Sequence, residues 1–195
     1  VAWFLLTRVS KIDLALAHAR DYFQIFLYGG VVAPFVGALL GAITLYLSAL
    51  APQDFWHNLQ YWWMGDSLGV IILTPLLLIW RRRPTQTYTS RQWIEAAVGL
   101  SALVFVGQIV FAGWSFGALN AYGRGFIFFI FVSWAAMRFG RHATSLAIAI
   151  LIIQIMVGLV AGRGYFAAES RSVMFGTIWL YMTAISVTGM ALAIY

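Results

Sequence analysis

Cysteine is absent from the 195 residues, and charge is scarce: 9% of the chain, against about 25% in an ordinary soluble domain. Without cysteine there are no disulfides, no thiolate metal ligands and no thiol nucleophile. The scarcity of charge excludes more. Hydrophobic residues make up 63% of the chain, and the polar remainder cannot coat a water-soluble globule. A soluble enzyme, a disordered tail and a secreted disulfide scaffold are all ruled out. What is present is a series of long apolar runs, the mark of an integral membrane protein.

Six such runs, roughly 22–50, 57–80, 92–114, 121–137, 143–161 and 173–194, are set apart by charges, Gly and Pro. Each is apolar all round, without the alternation of a lipid-facing barrel strand. Hydrocarbon offers the backbone no hydrogen bonds, so helices satisfy it most simply. The pattern predicts an all-α, polytopic transmembrane bundle of six full helices, with 1–195 forming a single integral-membrane domain. The chain opens at Val1 without an initiator Met or a signal-peptide pattern. Residues 1–6 read as the stub of an earlier apolar helix, and the whole reads as a fragment.

The net charge is +6, from 12 basic and 6 acidic residues. In a membrane protein such an excess marks cytoplasmic loops rather than a nucleic-acid partner. If the 81–91 loop is cytoplasmic, Arg81, Arg82, Arg83 and Arg91 share that side with Arg8, Lys11, Arg20, Arg138 and Arg141. Only Arg124, Arg163 and Arg171 fall outside, and Tyr195 lies at the cytoplasmic face. Trp56, Tyr61, Trp80, Trp93, Trp114, Tyr122 and Tyr165, near the ends of the runs, suit interfacial belts. Small residues four apart, Ala33/Gly37/Gly41, Gly65/Gly69 and Gly158/Gly162, predict close helix approach.

Asp66 stands about ten residues into its run, where a carboxylate costs about 2.5–3.5 kcal/mol at the bilayer centre. It is expected to face the bundle interior or a wet cavity, paired or protonated. Trp62, Asp66 and Gly69 share a helical face with Ser67 adjacent, and could hold a cation or polar ligand, Trp62 supplying a π-surface. The competing reading is a carboxylate that caps a broken helix or pairs with one Arg. A second feature is the repeated Gly123-Arg124-Gly125 and Gly162-Arg163-Gly164, joined by Arg171 at the outer mouth. Guanidinium groups there could bind an external carboxylate or phosphate. They could equally reach lipid headgroups, or pair with Asp54 and Glu169. Arg138 is expected to act as a cation near a helix C-terminus. Gln108, Gln154 and Asn120 suit interhelical hydrogen bonds. His18, His57 and His142 are scattered without metal-ligand spacing, and no Walker A or dinucleotide-binding pattern occurs. Neither a catalytic residue, a metal nor a cofactor is expected in this segment.

Three motifs carry a resemblance. Trp62-Trp63-x-Gly65-Asp66-x-Leu68-Gly69, followed by Thr74-Pro75-Leu76-Leu77-Leu78 and Trp80, resembles the bacterial membrane-associated sensor domain of the first type, the MASE family. Trp134-Ala135-Ala136-x-Arg138-Phe139-Gly140 is similar to a second part of it, and Gly162-x-Gly164-x-Phe166 to a third. The resemblance implies an eight-helix sensory module in a bacterial cytoplasmic membrane, of which this chain is the C-terminal part. Cytoplasmic histidine kinase, diguanylate cyclase or phosphodiesterase domains follow such modules. Asp66 and Arg138 carry over as motif positions only.

The leading expectation is a signal-input module that detects a small ligand or a membrane state and passes it to a cytoplasmic output domain. Its partners are the lipid bilayer and a membrane protein or a second copy of itself. The alternative is a non-catalytic accessory or scaffold subunit of a larger membrane complex. A solute carrier is a third class, kept open by the duplicated Gly-Arg-Gly and opposed by the lack of an inverted repeat.

Overall fold

A computed structural model describes residues 4, 16, 18–48, 54–84, 87–113, 125–168 and 171–195. All secondary structure among the described residues is helical. Among the described residues five helices are long and apolar enough to cross a membrane. They are α1 (Ala19–Leu47), α2 (Phe55–Trp80), α3 (Ser90–Phe111), α4 (Ile127–Val160) and α5 (Arg171–Ile194). Of the stub expected at 1–6, only Phe4 is described, helical and exposed; the other five residues lie outside the described set.

The expected fourth and fifth helices are the two limbs of α4, which are broken apart at Gly140; with α4 taken as one span, five spans are found among the described residues where six full helices were expected. The reason lies at Gly140, whose φ of 67° and ψ of −161° interrupt the helical path. That region of backbone space is open essentially to glycine alone. A straight helix of α4's 34 residues would be about 51 Å long, well beyond the roughly 30 Å hydrocarbon core. Yet both of its ends reach the same end of α3. The Phe111 ring stacks on Phe128 at 4.8 Å, and the Phe111 carbonyl lies against Gly158. The limbs 127–139 and 141–160 therefore fold back on one another about Gly140.

The other boundaries have local causes. Thr89 starts α3 with a reciprocal cap: its Oγ1 accepts from the Gln92 N–H, and its own N–H donates to Gln92 Oε1 at 2.9 Å. In α1, residues Ile25–Val32 wind as wider π-helical turns. They run up to Pro34, which cannot donate a backbone hydrogen bond and whose ring would crowd the carbonyl four residues earlier.

The core is centred on α4 and α5. Ala147, Leu151, Met182 and Ile185 are fully buried, with Ile71 of α2 and Leu103 of α3 packed around them. A smaller cluster, Ala38, Ala42 and Leu59, joins α1 to α2. Large apolar side chains such as Phe105, Ile130 and Val160 remain on the outside, as suits helices solvated by lipid. The small-residue spacings met mixed outcomes. Gly41 and Gly158 are tight contacts, but a Cβ at Gly37, Gly65 or Gly69 would meet nothing within 4 Å. Other close approaches pair a glycine with a neighbour's large side chain: Gly41 with Trp62, Gly99 with Trp134 and Gly107 with Gln154.

Candidate functional site

The first motif lies on α2, and its side chains divide between three directions. Trp62 covers Gly41 of α1 with one side of its ring and leaves 45% of its surface outside. Trp63 points between α1 and α5. Its Nε1–H donates to the Val31 carbonyl at 3.0 Å, inside the π-helical stretch, and its ring lies 5.2 Å from that of Trp179 on α5. Ser67 is fully buried, with no hydrogen-bond partner for its Oγ among the described residues. Pro75 is buried inside the helix, and having no N–H it leaves the Ile71 carbonyl without its usual donor.

Asp66 departs from expectation. It is exposed on the outer face of the described bundle rather than turned inward. Each residue advances a helix by about 100°, so the face that buries Ser67 against the core carries Asp66 out of it. Trp62 and Asp66 consequently do not converge with Ser67 into one ligand pocket.

Gly65 and Gly69 open onto a groove of about 550 Å³ between α2, the second limb of α4 and α5. Met64, Leu68, Met156, Leu159 and Ile178 line it, with Tyr61 at one end. The size falls within the usual range for small-molecule sites, about 300–1,000 Å³. Nothing in the sequence advertised it, because the walls come from three helices distant in the chain. The two glycines were the available signal, and their spacing read instead as helix contact.

The second motif builds the turn at Gly140. Trp134 fills the space over Gly99, and Phe139 packs on Tyr88 and Trp134 at 5.7 and 5.2 Å. The Tyr88 hydroxyl donates to the Phe139 carbonyl at 2.9 Å. Burial pushes that hydroxyl above its usual pKa, which keeps it a donor. Arg138 is not simply a helix-end cation. It forms a two-pronged pair with Glu95 of α3, Nε to Oε1 at 2.9 Å and a terminal nitrogen to Oε2 at 3.0 Å. Around it Arg141 donates to the Leu16 carbonyl, His142 meets the Arg82 carbonyl at 3.0 Å, and Trp80 donates to Ser145 Oγ. Sequence reasoning missed Glu95, Tyr88 and His142 as members of this hub, because their partners are 43 to 60 positions away.

The third motif is a helix stop. The Arg163 N–H bonds the Gly158 carbonyl and the Gly162 N–H bonds Leu159, with Gly162 at a φ of 64°. This is the Schellman arrangement, which needs a left-handed residue at that position. Gly164 passes directly over the Phe111 carbonyl, and Phe166 stacks on the Phe111 ring at 5.8 Å. Arg163 is exposed. Arg124 lies outside the described residues, as does the Arg171 side chain, so the grouping of the three arginines rests on sequence. Gln154 is buried and donates to the Val104 carbonyl at 2.7 Å across helices, as expected for it; Asn120 lies outside the described residues. Among the described residues no group of three His, Asp or Glu could hold a metal ion.

Membrane-type helices, an aromatic-tied motif helix and a reversal locked at Gly140 define a polytopic membrane bundle. Comparison with known proteins gives the family. The chain belongs to the MASE1 family, whose pattern matches residues 1–195, the entire sequence. MASE1 is a family of membrane-associated sensor domains, sensory input units rather than catalytic ones. No curated protein and no solved structure matches the chain.

Proposed function

We propose that this chain is the signal-input part of a bacterial inner-membrane signalling protein, passing a ligand or membrane state to a cytoplasmic output unit through α5. In this reading the two limbs of α4 each cross the bilayer, giving six crossings, and Tyr195 lies on the cytoplasmic side. The observation that carries it is the Trp63–Trp179 contact. Trp63 also holds the π-helical stretch of α1, so the motif helix, the first helix and the last helix meet at one aromatic pair. A change in how α2 packs would displace α5, and a stimulus does this only by favouring one of two packings. Support for the orientation comes from the fold. The described bases Arg20, Arg81–Arg83, Arg91, Arg138 and Arg141 all stand at the helix ends gathered around Gly140. Arg124, Arg163 and Arg171 are the proposed outer contacts for an anionic group. A homodimer or a membrane-protein partner would cover Asp66, whose exposure on the bundle surface is costly in lipid.

The test uses the absence of native cysteine. Spin labels at Ile94→Cys and Leu192→Cys, both exposed and near the Gly140 end, report the distance between α3 and α5 in nanodiscs of short-chain and long-chain lipid. A distance distribution that moves with bilayer thickness, and whose movement is lost in Trp63→Leu, is expected. Identical distributions in every bilayer overturn the proposal that α5 carries the signal.

A further inference from the structure

The groove between α2, α4 and α5 is apolar along its length and has a definite cause. A Cβ at Gly65 or Gly69 would meet nothing within 4 Å, so the missing side chains of the motif leave the space that larger residues would fill. Three of the six methionines, Met64, Met156 and Met174, line it. Their unbranched, polarizable thioethers adapt to a flexible apolar occupant. On α2 the groove extends from Tyr61 to Leu73, about 18 Å along the helix, close to the roughly 15 Å of one leaflet's hydrocarbon. Its Tyr61 end has polar surroundings. The His57 ring lies 6.1 Å from that of Tyr61, and Arg163 is exposed three residues past Val160 of the groove wall. An apolar slot of one-leaflet length, ending beside groups that bind phosphate, has the polarity profile of a lipid.

We propose that this groove holds one acyl chain of a phospholipid from the leaflet at the Phe55 end, with its phosphate near His57 and Arg163. The chain lies against both α2 and α5, so its presence or length changes their separation; this rests on the sensory reading above and names its input. The experiment reconstitutes the full chain in vesicles of phosphatidylglycerol, a fraction of which carries a diazirine near the end of one acyl chain. Adducts are mapped by peptide mass spectrometry after illumination. Adducts on Leu68, Leu73 and Met156 should exceed those on Phe105 and Ile130 by about tenfold, a ratio equivalent to about 1.4 kcal/mol. The paired Gly65→Leu/Gly69→Leu variant should reduce them to the level of those surface positions. Gly37→Leu, equally open but on α1, should leave them unchanged, and Gly69→Ala supplies a milder variant if the pair fails to fold.

Adducts spread evenly over the lipid-facing surface would mean ordinary boundary lipid and overturn the proposal. So would a groove protected in a stable dimer, which assigns it to a second copy, or a neutral isoprenoid retained in native mass spectrometry. The two readings separate cleanly. Concentrated adducts with an unmoving Ile94–Leu192 distance keep the lipid site and discard the sensory coupling. A moving distance with evenly spread adducts does the reverse.

Discussion

Aromatic rings laid over glycines fix the spacing of neighbouring helices at single-residue scale. Trp62 on Gly41 and Trp134 on Gly99 leave no space for a Cβ. Gly99→Ala should therefore lower stability by about 1–3 kcal/mol, the usual cost of overpacking. Thermal unfolding in detergent reads the loss, and Trp134→Phe in the same chain should recover part of it. Ser67 predicts the opposite. Its buried hydroxyl has no partner among the described residues, so Ser67→Ala should unfold at the parent temperature or above it. Asp66 separates fold from function at this scale. Because the carboxylate is exposed, Asp66→Asn should melt no lower than the parent. If Asp66 takes part in sensing, that variant alters the response of α5 to bilayer thickness. An unchanged response removes Asp66 from the mechanism.

Among the elements, α4 depends most on one position. Gly140→Ala places a side chain in a backbone region that essentially only glycine enters. A loss of more than about 1–3 kcal/mol is expected, seen as a large drop in melting temperature. Glu95→Gln weakens the pair with Arg138, which solvent and headgroups already screen. Its effect should be distinctly smaller than that of Gly140→Ala in the same assay. If the order were reversed, the ion pair rather than the backbone turn would hold the two limbs together. The helical runs themselves were legible from hydropathy, since apolar length is a property of each segment alone. So was the break between 121–137 and 143–161, which falls at Gly140. That the two limbs lie side by side was not legible, and only the close approach of Phe128 and Gly158 to Phe111 shows it.

For the molecule as a whole, the proposed orientation makes a direct prediction. Cysteines placed singly at Arg83 and Tyr195 should react with an impermeant maleimide from one side of the membrane, and one at Arg163 from the other. Labelling of Arg83→Cys and Arg163→Cys from the same side would contradict the six crossings, because α3 and the two limbs of α4, an odd number of crossings, lie between them. The cysteine-free chain gives this assay no background.

Composition alone determined that this chain lives in a bilayer, because lipid is the only solvent that accepts so much apolar surface with so little charge. The motif residues indicated the family, since Trp-Trp-x-Gly-Asp and Trp-Ala-Ala-x-Arg-Phe-Gly are local patterns that survive without knowledge of their contacts. The direction each motif residue faces was decided by tertiary packing. Asp66 looked internal because depth along a helix is readable from sequence. Its exposure depends on which side of α2 meets α4 and α5, and that is set by contacts between residues far apart in the chain. The groove has the same origin. Two glycines provide the gap, but it becomes a cavity only where three helices leave it uncovered.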